Sequence, residues 1–201
     1  MTQTEQPARE RLLVAAGSLM HERGYEATGV AELCEAAGAP KGSFYYWWPS
    51  KQALALAMID REWERARDRV FEPAFGNGGP IVEQFARYTE LLVASVRDEV
   101  AQTGSVLGCP FGNFAVELAT RDQVIRSRVE EILAEIRGVI ANAIAGAKEA
   151  GELPADLDAE DLAEAILAQL EGLFVIAKAR NDPAVLERLP REVGRLLAPP
   201  A

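Results

Sequence analysis

Apolar residues recur at helical spacing almost from end to end of this chain, while alternating β-branched stretches are nearly absent, so the pattern predicts an all-α fold. Leu12, Ala15, Ala16, Leu19 and Met20 share one face of a first helix over 8–23, and Gly24 supplies its stop. Thr28 is placed to cap a short second helix in which Val30, Leu33, Cys34 and Ala37 line one side before Gly38. After the turn Gly38-Ala39-Pro40 a third helix is expected over 41–48, closed by Pro49, with Phe44 and Trp48 as an inward i, i+4 pair. Ser50 caps a fourth helix that starts at Lys51 and runs to about Phe71. The glycines and prolines of 73–80 predict a loop, and 81–101 a helix with Phe85, Tyr88, Leu92 and Val96 inward. Beyond the loop 103–113 come a helix carrying Phe114 and Glu117, a long helix over 122–150, one over 159–180 and a last one over 183–197.

Helix, tight glycine-containing turn, helix, with a supporting helix in front, is the arrangement of a helix-turn-helix reader of duplex DNA. The third helix carries Lys41, Gly42, Ser43, Tyr45 and Tyr46 within six positions. Gly42 lets a backbone approach closely, Ser43 and the phenols can bond phosphate oxygens, and the rings can touch thymine methyls. The competing reading buries the aromatics of 44–48 in a core beneath the helix. Lys51 opposes the macrodipole at the start of the fourth helix, a placement that an external phosphate would turn to advantage and that solvent would merely tolerate.

Composition and charge narrow the remaining classes. A chain of 201 residues with 49% hydrophobic and 26% charged residues is long enough to bury a real core. The formal net charge of −10 argues against a general nucleic-acid coat, yet residues 1–57 carry five basic against six acidic side chains, so the acid load lies beyond them. The longest uncharged run, Val100–Val116, is broken by three glycines and a proline, so no membrane span is expected. The start MTQTEQPARERLL lacks the basic-then-apolar order of a secretory signal, and two cysteines 75 positions apart make a poor disulfide framework; a reducing cytoplasm is the expected compartment. With His21 as the single histidine, neither a His-based triad nor a spaced zinc cluster can be assembled, and no phosphate-cradling glycine loop is present. The adjacent carboxylates Glu130-Glu131 and Glu160-Asp161 suit a solvated helix face. The expectation is a non-enzyme without cofactor or metal.

The stretch 8–57 resembles the N-terminal domain of the TetR/AcrR family of transcriptional regulators, most specifically at Gly24-Tyr25, Ala27-Thr28, Ala36-Ala37-Gly38, Lys41-Gly42-Ser43, Tyr45-Tyr46 and Pro49-Ser50-Lys51. The resemblance implies a DNA-binding head over 1–50 and a helical ligand-binding and dimerisation body over 51–201, forming a homodimer on a double-stranded palindromic operator that a small-molecule inducer releases. It places Lys41, Gly42, Ser43, Tyr45 and Tyr46 on the recognition helix, Lys51 on phosphate and Thr28 near the DNA backbone. Pro40 stands where family members often carry a hydroxyl residue, Ala31 where an arginine frequently touches DNA, and Trp47-Trp48 where histidine or tyrosine followed by phenylalanine is commoner. Gly108-Cys109-Pro110-Phe111-Gly112-Asn113 is similar to a turn at the ligand chamber of some members. Candidate ligand contacts are Trp63, Phe85, Tyr88, Cys109, Phe111, Asn113, Phe114, Glu117, Gln169 and Phe174, which could equally be core. Cys109 is either a packed thiol or a sensor of oxidants and electrophiles; Cys34 reads as inert core. The small residues Ala163, Ala165, Ala168, Gly172 and Ala177 fit either close helix pairing across a two-fold axis or an intrachain core. The alternative to an operator reader is a helical ligand-binding module that no longer engages DNA.

Overall fold

A computed structural model describes residues 7–197, and among these every regular element is helical. The elements are α1 (Ala8–Arg23), α2 (Val30–Ala36), α3 (Lys41–Trp47), α4 (Lys51–Ala66), a π-helical turn (Arg67–Phe71), α5 (Glu72–Phe75), α6 (Ile81–Thr103), α7 (Pro110–Leu118), α8 (Gln123–Glu149), α9 (Ala159–Arg180), a 3₁₀ segment (Pro183–Arg188) and α10 (Leu189–Leu197). The chain divides into two compact units. One comprises the chain up to Glu64 with Pro110–Glu130, the other Arg65–Cys109 with the chain from Glu131 onward.

In the first unit α1 buries Leu12, Leu13, Ala15, Ala16 and Met20. Gly24 ends it at φ 93°, a conformation that favours glycine, and its N–H returns to the Met20 carbonyl. The α2–α3 turn forms as the sequence predicts. Gly38 takes φ 55°, its N–H reaches the Glu35 carbonyl, and the Ala39 N–H reaches that of Cys34. Ser50 caps α4 by accepting from the Ala53 N–H at 3.1 Å. The second unit is built around α6, α9 and α10, with Ile166, Leu170, Leu173, Leu186, Leu189 and Val193 buried. Among the described residues no helix is long and apolar enough to cross a membrane.

Several expectations need correction. Thr28 does not cap α2; the helix starts at Val30 after Gly29, because the Thr28 hydroxyl turns back to donate to the Gly24 carbonyl at 2.8 Å. The fourth helix reaches Phe71 only through a π turn. Pro73 has no N–H for the Arg69 carbonyl and its ring crowds that turn, and just before it the Glu72 N–H bonds five residues back to Arg67. Residues 72–75 are helical, so the loop is shorter than the proline and glycine pattern suggests. The last helix opens as 3₁₀, with Pro183 at its start and Asp182 capping the Ala184 N–H. Leu19 and Leu92 are half-buried. The small residues of α9 divide: Ala163 and Ala177 are core, whereas Ala165, Ala168 and Gly172 are exposed.

Candidate functional site

The head displays α3 in the way a groove reader requires. Phe44 and Trp48 are buried and anchor the helix, while Tyr45, Tyr46 and Trp47 are 56%, 77% and 43% exposed. Five consecutive aromatics are thus split by helical geometry into an inward pair and an outward trio. The Tyr46 and Trp47 rings meet edge to face at 4.7 Å and Tyr45 meets Phe44 at 5.1 Å, so the outward rings are propped by their neighbours. Lys41 and Gly42 are exposed and Ser43 half-buried; a Cβ at Gly42 would meet nothing within 4 Å. The Arg9 guanidinium lies 5.0 Å above the Trp48 ring.

Lys51 has an internal role that sequence reasoning missed. Its ammonium donates to the carbonyls of Tyr25 at 3.0 Å and Thr28 at 3.2 Å and lies 4.0 Å from the centroid of the Tyr25 ring. Two carbonyl dipoles and a ring face stabilise the cation that the α4 macrodipole disfavours, without an external phosphate. Thr28 is completely buried, so its hydroxyl cannot touch an outside molecule and serves to shape the α1–α2 link. Arg11, also missed, donates from α1 to the carbonyls of Ala37 at 2.7 Å and Gly38 at 3.2 Å, fixing the α2–α3 turn. An arginine on the polar face of a helix ahead of a glycine turn was the available signal.

The ligand candidates fall into both units. Trp63, Phe111, Asn113, Phe114 and Glu117 belong to the first. There Trp63 meets Phe111 at 6.3 Å and Phe114 meets Tyr25 at 6.4 Å, both as buried core. Asn113 is half-buried. Glu117 is engaged by the head: one carboxylate oxygen accepts from the Tyr25 N–H at 2.9 Å and the other from the Glu26 N–H at 2.8 Å.

Phe85, Tyr88, Cys109, Gln169 and Phe174 belong to the second unit. Phe85 and Tyr88 join Phe71 and Phe75 in an aromatic cluster with centroid separations of 5.3–6.5 Å. Cys109 is buried, and its thiol hydrogen-bonds the Glu171 carboxylate. Burial pushes the Glu171 carboxyl above its ordinary value against that hydrogen bond. Burial, with Cys109 and Glu171 adding to it, drives the Tyr88 phenol far above the normal tyrosine range. The Cys109 loop is held from two sides, because Glu99 accepts from the Leu107 N–H at 3.1 Å while Asn181 accepts from the Val106 N–H at 2.8 Å and donates to the Gly104 carbonyl. Phe174 is buried and Gln169 half-buried on α9.

A helix-turn-helix head with an outward aromatic, lysine- and glycine-bearing second helix, followed by a larger helical region, defines a DNA-binding transcriptional regulator. Comparison with known proteins agrees. Residues 12–58 match the model described as bacterial regulatory proteins, tetR family, and residues 86–193 the tetracyclin repressor-like C-terminal domain. The transcriptional regulator AcuR of Cereibacter sphaeroides is 31% identical over 188 residues, spanning 94% of this chain and 84% of that protein. The transcriptional repressor NemR of Escherichia coli is 25% identical over 198 residues, 98% of each. The crystal structure of a regulatory protein TetR from Rhodobacter sphaeroides superposes with a TM-score of 0.82 at 29% identity, covering 95% of this chain and 99% of that one. The chain belongs to the TetR family of transcriptional regulators.

Proposed function

We propose that this regulator is a cytoplasmic homodimeric repressor that reads a palindromic operator through α3 and is released from it by a small molecule bound in the larger unit. The observation that carries the reading is the outward trio Tyr45, Tyr46 and Trp47 beside Lys41 and Gly42, on a helix anchored by Phe44 and Trp48. Exposed neighbouring aromatics are costly unless a partner covers them. Two such helices set about 34 Å apart by a two-fold axis meet successive major grooves. The pairing surface is the outward stripe Ala165, Ala168, Gly172, Val175, Ile176 and Ala179 on α9, whose spacing allows close helix approach. The name of NemR, a repressor, supports the sign of regulation for this chain.

Non-covalent induction is preferred over thiol chemistry at Cys109. A sensor thiol has to be reachable by its oxidant, whereas Cys109 is buried and engaged by the Glu171 carboxyl. Induction then works by differential affinity, with DNA and inducer stabilising opposing arrangements of the dimer.

Selection of duplexes from a random pool by the purified protein at near-physiological salt tests the reading. Recovery of an inverted repeat is the expected result. A folded dimer that enriches no sequence would leave a ligand-binding module without operator recognition. Release by oxidant that is abolished in Cys109→Ser would replace non-covalent induction with thiol sensing.

A further inference from the structure

The α1–α2 link, residues 24–29, joins α1 to α2 and so to α3, and several of its polar groups have specific partners. From within the head, the Thr28 hydroxyl donates to the Gly24 carbonyl and Lys51 donates to the carbonyls of Tyr25 and Thr28. The two consecutive N–H groups of Tyr25 and Glu26 find their acceptors, among the described residues, outside α1–α4: they converge on the two oxygens of Glu117, ninety-one and more residues away on α7. A carboxylate taking two adjacent backbone N–H groups, one on each oxygen, fixes both the position and the rotation of the peptide it grips. The fit is close. A Cβ built at Gly24 would lie 3.0 Å and 3.1 Å from the Glu117 oxygens, so glycine at this position serves both its φ of +93° and the approach of the carboxylate. Tyr25 completes the grip, with Phe114 of the same helix on its ring and the Lys51 ammonium over it.

We infer that Glu117 is a positioning residue for DNA recognition: from α7 it holds the Tyr25–Glu26 peptide, and through that link it sets the placement of the recognition helix α3. It touches no DNA. Its acidity would oppose phosphate, and its side chain is spent on backbone donors of its own chain. The inference rests on the reading of α3 as the recognition helix, and the experiment separates the two.

Operator affinity is measured for wild type, Glu117→Gln, Glu117→Ala and, as a control on α3 itself, Tyr46→Ala, using the inverted repeat recovered by selection and a scrambled duplex, well below each protein's melting temperature. Glu117→Ala should bind the operator about ten-fold or more weakly while binding the scrambled duplex nearly as wild type does. Glu117→Gln, which keeps one acceptor oxygen and sets an amide donor against the other N–H, should fall between. Loss of thermal stability alone, with wild-type affinity in the folded protein for both Glu117 variants, would reduce the residue to a structural contact and overturn the inference. If Glu117→Ala does not fold, the Gln variant decides by the same criterion. If Tyr46→Ala also keeps wild-type affinity, the reading of α3 falls and the positioning role with it; if only Tyr46→Ala weakens binding, the role of Glu117 alone is refuted.

Discussion

Side chains of one head divide by whether they face outward or hold the head together, and the two groups should respond differently to substitution. Gly42 is exposed on α3 with open space where a Cβ would stand. Gly42→Ala should therefore raise the melting temperature slightly, alanine exceeding glycine in a helix by up to about 1 kcal/mol. If DNA backbone approaches here, the same change weakens operator binding, and affinity measured beside melting reveals both signs. Lys51→Ala should do otherwise: the Tyr25 and Thr28 carbonyls lose their donor and the Tyr25 ring its cation, so stability and affinity fall together. Glu171 makes a pH-dependent prediction. Its carboxyl is held above its ordinary value by burial, so the folded state binds its proton more tightly than the unfolded chain does. The resulting penalty is absent below the unfolded value, grows as pH rises toward the folded value and is complete above it. Glu171→Gln should raise the melting temperature at neutral pH and leave it unchanged in acid. An equal shift at both pH values would refute this assignment.

At the level of elements, most of the helix pattern was legible because local chemistry decided it. Gly24, Gly38, Pro49 and Ser50 mark ends that fall where backbone conformation and capping require, and α1 and α9 span the residues their apolar periodicity indicates. Departures arose where a side chain had two possible partners or where a proline acted upstream. Thr28 chose the Gly24 carbonyl over a capping role, and Pro73 altered the turn before it. On the candidate site, i, i+4 spacing placed Phe44 and Trp48 on one face, and their burial beside exposed Tyr45, Tyr46 and Trp47 makes that face the inward one. Glu117 was read only as a candidate ligand contact and its hold on the head could not be foreseen, because its partners lie ninety-one and more positions away and spacing carries no information at that range. Asp122 shows how firmly a local signal can hold. It accepts from the N–H groups of Val124 and Ile125 at the start of α8 and from the Gln52 amide at 2.7 Å. Burial pushes its carboxyl up, but these three donors outweigh it and hold the group below its ordinary value. Asp122→Ala should cost about 1 kcal/mol, the range for loss of a helix cap, measurable by urea denaturation at pH 7. The difference from wild type should shrink as pH falls through the depressed value of Asp122, because the native carboxylate must then take up a proton.

For the assembled molecule, the proposed dimer and the proposed operator stand or fall together in one measurement. The outward stripe of α9 contains Gly172, where a Cβ meets nothing within 4 Å, next to exposed Ala168, Val175 and Ile176. Gly172→Arg adds bulk and charge at the proposed two-fold contact without disturbing the protomer's own packing. Arginine is also the better helix former by most of 1 kcal/mol, so the protomer should melt no lower if nothing else changes. Association, by contrast, would place two like charges in a close helix pairing, and sedimentation should show a monomer where the wild type is a dimer. A monomer presents one recognition helix where the dimer presents two, so it makes about half the phosphate contacts. The logarithm of the binding constant falls with the logarithm of salt concentration at about 0.9 per phosphate neutralised, hence the salt slope on the operator should drop to about half. Loss of the second head also removes the gain from joining two half-sites in one molecule, a factor of about 10² or more. A variant that remains dimeric, or a monomer with the full wild-type salt slope, would show that α9 is not the pairing face or that one head alone makes the operator contacts.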